Sequence, residues 1–174
     1  MSRFTHIDLC AGRGGWQQAT ATDTSWRTVG LDIRQMRGVD VQGDVTQLPL
    51  DCEPTLLTMS PPCTEFARWM LPWHDEPDPD LSLVEACLAA VDDLEPDWWV
   101  LENSRGLHQY WTSARTHIGP YYLWGEWPAM DVDGSAIDGK TQTSGERPAE
   151  RAEIPAVLSK ALKGAVERME VTRE

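Results

Sequence analysis

The chain has 174 residues, enough for one domain and little more. Hydrophobic residues at 41%, with nine Trp, supply a core and exclude wholesale disorder, and no apolar run approaches the ~20 residues of a bilayer-spanning helix. Fifteen basic against 28 acidic residues, net −13, argue against broad affinity for nucleic acid, which rests on phosphate neutralisation.

In chain order, Phe4 to Leu9 reads as a near-continuously apolar strand, the pattern of a parallel strand buried on both faces. It runs into Asp8-Leu-Cys-Ala-Gly-Arg-Gly-Gly-Trp16, whose glycines permit a tight turn and close backbone approach. The helix start beyond offers free N–H groups to a ligand. Val29 to Ile33 is the second strand, and Asp32 closes it 17 residues after Gly15, where an acid receives ribose hydroxyls in nucleotide-binding α/β folds. Asp44, after Gly43, is placed to accept from an adenine amine. A glycine turn alone is equally a plain strand-to-helix turn. The strand context and the two acids favour an adenosine cofactor, and the lack of GxGxxG or a Walker Gly-Lys-Ser/Thr disfavours a phosphate-bearing one.

Thr55 to Met59 predicts a third strand, followed by Ser60-Pro-Pro-Cys63. The prolines present the next side chain rigidly at the strand's carboxyl end, where a partly exposed thiol is open to activation as a nucleophile. The plainer reading is a loop cysteine in a stiffened turn. Cys10, Cys52, Cys63 and Cys87 form no CxxC pair, which disfavours zinc and a disulfide framework. His6, His74, His108 and His117 lack ligand spacing, so no metal is expected. Trp69 and Trp73 flank the Cys63 loop and suit either stacking on an extruded base or lid packing. Asp75 to Asp80 reads as a solvated acidic loop.

Leu81 to Leu94 predicts a helix, with Leu83, Val84, Cys87, Leu88, Val91 and Leu94 at helical spacing and Pro96 closing it. Trp98 to Leu101 is a fourth strand and ends in Leu101-Glu-Asn-Ser104. Burial favours the protonated form of a carboxyl group, so Glu102 is a candidate acid; alternatively it caps a helix or pairs with Arg105. His108 to His117 predicts a helix and Tyr121 to Trp127 a strand, and the polar stretch from about 129 to 153 reads as a mobile loop. Pro155 opens a last helix with Val157, Leu158, Ala161, Leu162, Ala165, Val166 and Met169 as its buried stripe. The alternation of strand, turn and helix is that of a doubly wound α/β domain.

The glycine turn, Pro-Pro-Cys and Glu-Asn-Ser, in this order and spacing, resemble the DNA (cytosine-5) methyltransferase family over about residues 4 to 106. The resemblance implies a single catalytic domain with a Rossmann-like class I S-adenosylmethionine-dependent methyltransferase fold: a mostly parallel sheet with helices on both faces. It implies S-adenosylmethionine as cofactor and C5 of cytosine in DNA as methyl acceptor. Asp8, Cys10, Ala11, Gly12, Gly14, Gly15 and Trp16 would surround the cofactor's methionine and ribose. Asp32 with Ile33 would take the ribose, Asp44 with Val45 the adenine, and Ser60 and Pro62 would flank the cofactor. Cys63 would attack C6 of a flipped-out base and Glu102 would protonate N3, with Asn103 beside it.

The chain departs from the family in several places. Cys10 stands where Phe is usual, and Thr64, Glu65 and Ala67 replace a Gln-x-x-Ser loop. No Gln-x-Arg-x-Arg segment is visible, Arg147 and Arg151 being the nearest candidates to steady base and nucleophile. Ile154 to Leu162 resembles the closing cofactor-side helix, with Arg151-Ala-Glu153 in place of Gly-Asn-Ser. The residues after Glu102 leave no room for a separate target-recognition domain, so the expectation is a compact, bacteriophage-type member with short or little sequence specificity. DNA binding is expected to be weak and salt-sensitive, with Arg34, Arg37, Arg68, Arg105 and Arg115 as phosphate contacts if they share a face. A protein partner supplying target recognition remains open. So do methylation of a free pyrimidine nucleotide or an RNA, and a non-catalytic subunit of a split enzyme. Without a signal peptide's apolar core at the start, the expected place is the cytoplasm of a bacterial or phage-infected cell.

Overall fold

A computed structural model describes residues 2–66, 78–137 and 153–173. Seven strands form one sheet: β1 (Phe4–Leu9), β2 (Trp26–Asp32), β3 (Val41–Gln42), β4 (Leu56–Met59), β5 (Trp98–Asn103), β6 (Thr116–Ile118) and β7 (Tyr121–Glu126). Their order is β3-β2-β1-β4-β5-β7-β6. The first five are parallel, and β7 is antiparallel to both β5 and β6. This is a Rossmann-like, doubly wound arrangement, mostly parallel with an antiparallel edge. The strand order reverses at β1, whose neighbours are β2 on one side and β4 on the other, so the loops leaving β1 and β4 diverge and open a crevice above their carboxyl ends.

Among the described residues one α-helix covers each face, α1 (Ser82–Leu94) and α2 (Ala156–Arg173). Alternate residues of the strands feed two cores. Ile7, Leu9, Leu57, Met59 and Leu101 pack with Val84, Cys87, Ala90 and Leu94 of α1. Phe4, Leu56, Val100 and Leu123 pack with Leu158, Leu162 and Val166 of α2. Both faces being dry explains why these strands read as apolar runs rather than alternating ones. The link from β1 to β2 is only a short 3-10 turn, Trp16–Ala19. It is held against α2 by Ala19 N donating to Ser159 Oγ at 3.2 Å, by the Ser159 hydroxyl on Trp16 O, and nearby by Trp26 Nε1 on Glu167 at 2.8 Å.

β1 coincides with the expected strand; β2 begins three residues earlier and β5 ends two residues later than expected. The helix expected over His108 to His117 is absent. A 3-10 turn spans Arg105–Gln109 and β6 follows. Aromatic packing takes the backbone groups a helix would use: Trp124 Nε1 donates to Thr112 O at 2.8 Å, and Ala114 N donates to His108 Nε2 at 2.8 Å. In α2 the buried stripe is Leu158, Leu162, Ala165 and Val166, while Val157 and Met169 lie exposed at 38% and 40%. Within the expected mobile loop a turn at Gly134–Ala136 is capped by Asp133, and 138–152 lie outside the described residues, as do Trp69 and Trp73. Among the described residues no helix is long and apolar enough to cross a membrane.

Candidate active site and cofactor cavity

The turn after β1 is backbone packed on backbone. Gly12 and Gly14 take φ of 52° and 78°, and Cys10 takes 55°, a left-handed value that costs a non-glycine residue energy. A Cβ on Gly14 would lie 3.0 Å from Gly38 Cα, and one on Gly15 would lie 2.5 Å from Ile154 N. The glycines therefore let the β2–β3 loop and the entry to α2 close directly on the turn. Asp32 fastens it: Oδ2 accepts from Gly12 N at 3.0 Å and Oδ1 from Arg34 N at 2.9 Å. Gln17 adds a second tie, donating to Gly38 O at 2.7 Å and Asp8 Oδ2 at 3.1 Å.

Beneath the turn lies a buried polar chain. Thr58 Oγ1 donates to Asp8 Oδ1 at 2.8 Å, and the His6 ring bridges Thr58 Oγ1 and Thr20 Oγ1, each at 2.8 Å. Burial pushes the Asp8 carboxyl up to about 7 and the His6 imidazole down to about 3.

Above the turn opens a cavity of ≈ 440 Å³. Asp8, Cys10, Ala11, Gly12, Gly15 and Trp16 line it from β1. Asp32, Ile33, Asp44 and Val45 line it from the β2–β3 side, and Ser60, Pro62 and Cys63 from β4. Gly14, by contrast, is buried against Gly38 rather than in the wall. Sequence reasoning missed Arg13, Thr64, Leu83, Glu153 and Ile154, which also face the cavity. Leu83 carried a signal as an apolar residue in α1, and Ile154 as the start of the segment that resembles a cofactor-side helix; Leu83 and Ile33 stay exposed, at 37% and 61%, because they face this space. Asp44 Oδ1 accepts from Thr46 N and Oγ1, at 2.9 and 2.8 Å, and these bonds hold its carboxyl below the usual range.

The nucleophile loop is anchored from three sides. Ser60 N donates to Leu9 O at 3.2 Å, Trp16 Nε1 to Ser60 Oγ at 3.1 Å, and Asn103 Nδ2 to Pro61 O at 3.0 Å. Cys63 is half-buried, and its carbonyl accepts from Phe66 N at 3.1 Å. Gly106 presses on this turn so closely that a Cβ there would sit 1.7 Å from Phe66 O. Glu102, 5% exposed, lies at the end of β5 beside β4 and outside the cavity wall. Tyr121, whose hydroxyl donates to Glu153 O at 3.2 Å, is pushed up to about 12 by burial and by the charges of Glu102 and Glu153. The other cavity thiol, Cys10, is pushed upward by a hydrogen bond with buried Cys87 and by burial, which suits a structural thiol. All four cysteines are free thiols. Arg34 and Arg37 share the loop after β2. Arg115 is elsewhere, over the Trp127 ring at 4.3 Å, and Arg68 and Arg151 lie outside the described residues.

No family model and no curated protein matches the chain. Solved structures do. One is a DNA modification methyltransferase encoded within a prophage (E. coli), 22% identical, TM-score 0.44, over 60% of this chain and 33% of that one. A second is an Entamoeba histolytica methyltransferase, 14% identical, TM-score 0.42, over 63% and 40%. A third is a Spodoptera frugiperda DNMT2 mutant, 20% identical, TM-score 0.36, over 61% and 37%. The chain thus spans between a third and two fifths of each of these proteins.

Proposed function

We propose that the protein transfers a methyl group from S-adenosylmethionine to C5 of cytosine in DNA through a covalent bond to Cys63. The observation that carries this reading is a single cavity at the point where the strand order reverses, with Asp32 and Asp44 on its β2–β3 side and Cys63 on its β4 side. Its residues fit such a cofactor. Each Asp32 oxygen keeps a lone pair after its backbone bond, free for a ribose hydroxyl. Ile33 and Leu83 offer exposed apolar surface to the adenine, and Asp44 and Val45 its edge.

When bound, S-adenosylmethionine supplies an electrophilic methyl group. Cytosine C5 is a poor nucleophile until C6 is saturated. Cys63 Sγ bonds C6 while Glu102 places a proton on N3, which moves the ring electrons to C5, where the methyl group is received. Loss of the C5 proton to solvent restores the C5–C6 double bond as the Cys63–C6 bond breaks, N3 gives its proton back to Glu102, and the thiolate returns. Asn103 positions Cys63 through its bond to Pro61 O. Arg151 is the arginine proposed to steady the flipped base. The net charge of −13 favours a second substrate class, a free pyrimidine nucleotide or an RNA. A protein partner would then be the route to a defined DNA target.

The test is to offer labelled cofactor with duplex DNA, single strands, RNA and dCMP separately, and to identify 5-methylcytosine in the product. Labelled DNA supports the proposal, and bisulfite sequencing should then show methylation at a short motif or at nearly any cytosine. Label on dCMP or RNA alone would replace DNA as substrate, and label nowhere, with cofactor demonstrably bound, would leave the split-enzyme subunit as the reading.

Two substitutions probe the site. Asp32→Ala should weaken S-adenosylmethionine by about tenfold or more in calorimetry, since each bond to a charged acceptor is worth ~1.5–3 kcal/mol. Gly106→Ala should push Phe66 and with it Cys63 out of place, lowering kcat by roughly 10²-fold while leaving cofactor affinity within about twofold. A fully active Gly106→Ala enzyme would show that the close contact does not set the loop.

A further inference from the structure

One part of the cavity wall is not accounted for by the roles above. Arg13, in the glycine turn, and Glu153, at the entry to α2, both face the cavity and bond to each other, Arg13 Nε to Glu153 Oε2 at 2.9 Å. Arg37 Nη2 donates to the other oxygen, Oε1, at 2.9 Å, and to Arg13 O at 3.1 Å. The carboxylate is held from behind as well as from the front. Glu153 O accepts from Tyr121 and Ile154 O accepts from Gln18 Nε2 at 2.9 Å, so the backbone running from Glu153 into α2 is pinned. Gly15, with Ile154 N only 2.5 Å from where a Cβ would sit, fixes the spacing between the two walls. The side chains of Arg13 and Glu153 remain 38% and 24% exposed, so a ligand in the cavity reaches both.

A fixed cation and a fixed anion side by side are the complement of a zwitterion. We propose that Arg13 and Glu153, with Arg37 behind them, form the subsite for the α-amino acid end of the cofactor, the carboxylate on Arg13 and the ammonium on Glu153. This deepens the reading of the cavity as an S-adenosylmethionine site and rests on it. Salt sensitivity follows, because both groups are partly in water.

The test compares ligands with and without the amino acid end. S-adenosylhomocysteine carries it and 5′-methylthioadenosine lacks it. Calorimetry on wild type, Glu153→Gln and Arg13→Met should show S-adenosylhomocysteine weakened about tenfold or more by either substitution, with 5′-methylthioadenosine within about twofold of wild type. The truncated ligand also reports folding, and the two substitutions on separate elements guard against one that unfolds. Equal losses for both ligands, or no loss for either, would overturn the subsite while the cofactor reading stands. Failure of wild type to bind either ligand would overturn both.

Discussion

Cys63→Ser should reduce methyl transfer by roughly 10⁴-fold or more, the scale of loss when a covalent nucleophile is removed, while S-adenosylmethionine affinity stays within about threefold. The asymmetry follows from the wall: Cys63 is one lining residue of the cavity, whereas the turn after β1 and the β2–β3 loop frame it without the thiol. Serine preserves the size and the loop anchors from Trp16 and Asn103 but not the nucleophile. Wild-type protein should also form a denaturation-resistant adduct with DNA containing 5-fluorocytosine, since fluorine cannot leave C5 as a proton does. An active enzyme giving no adduct would end the covalent mechanism.

A second large effect concerns pH. Thr58 has one hydroxyl proton and gives it to Asp8, so neutral His6 donates from Nε2 to Thr58 and accepts at Nδ1 from Thr20. The folded Asp8 carboxyl, near 7, lies above its ordinary 3.8, so its contribution to stability is full at low pH and is lost as pH rises between those values. The folded His6, near 3, lies below its ordinary 6.5, so its contribution is lost as pH falls from 6.5 towards 3. The two slopes oppose each other across most of their range and leave the wild type nearly flat there. Asp8→Asn removes one slope, so its stability relative to wild type should fall on acidification from pH 6.5 to 4. His6→Gln should show the reverse trend, each by on the order of 3 kcal/mol. Denaturant midpoints at several pH values measure both. Parallel curves for wild type and both variants would show that neither shift contributes to stability.

The sheet was legible in the sequence where strands are buried on both faces, because β1, β4 and β5 then read as apolar blocks. β3 and β6, two and three residues long, carry no period to detect. The expected helix at His108 failed because its register of apolar residues serves Trp124 and Tyr122 across the sheet rather than a helical face. At the site, glycines, prolines and acids at strand ends were legible as backbone chemistry. Arg13 and Glu153 were not, since a salt bridge across 140 positions leaves no local pattern. Val157 and Met169 misled for a related reason: helical spacing alone does not say where on α2 the stripe ends.

The dependence of the first turn on the last helix also sets an order of events at the ribosome. Ala19 and its partner Ser159 are 140 positions apart, so at ~5–20 residues per second the glycine turn waits about 7–28 s for α2. Through that interval Phe4, Leu56 and Val100 have no helix to bury them, and Gly15 has no Ile154 to close on. Until α2 emerges, that apolar surface stays open to aggregation and proteolysis.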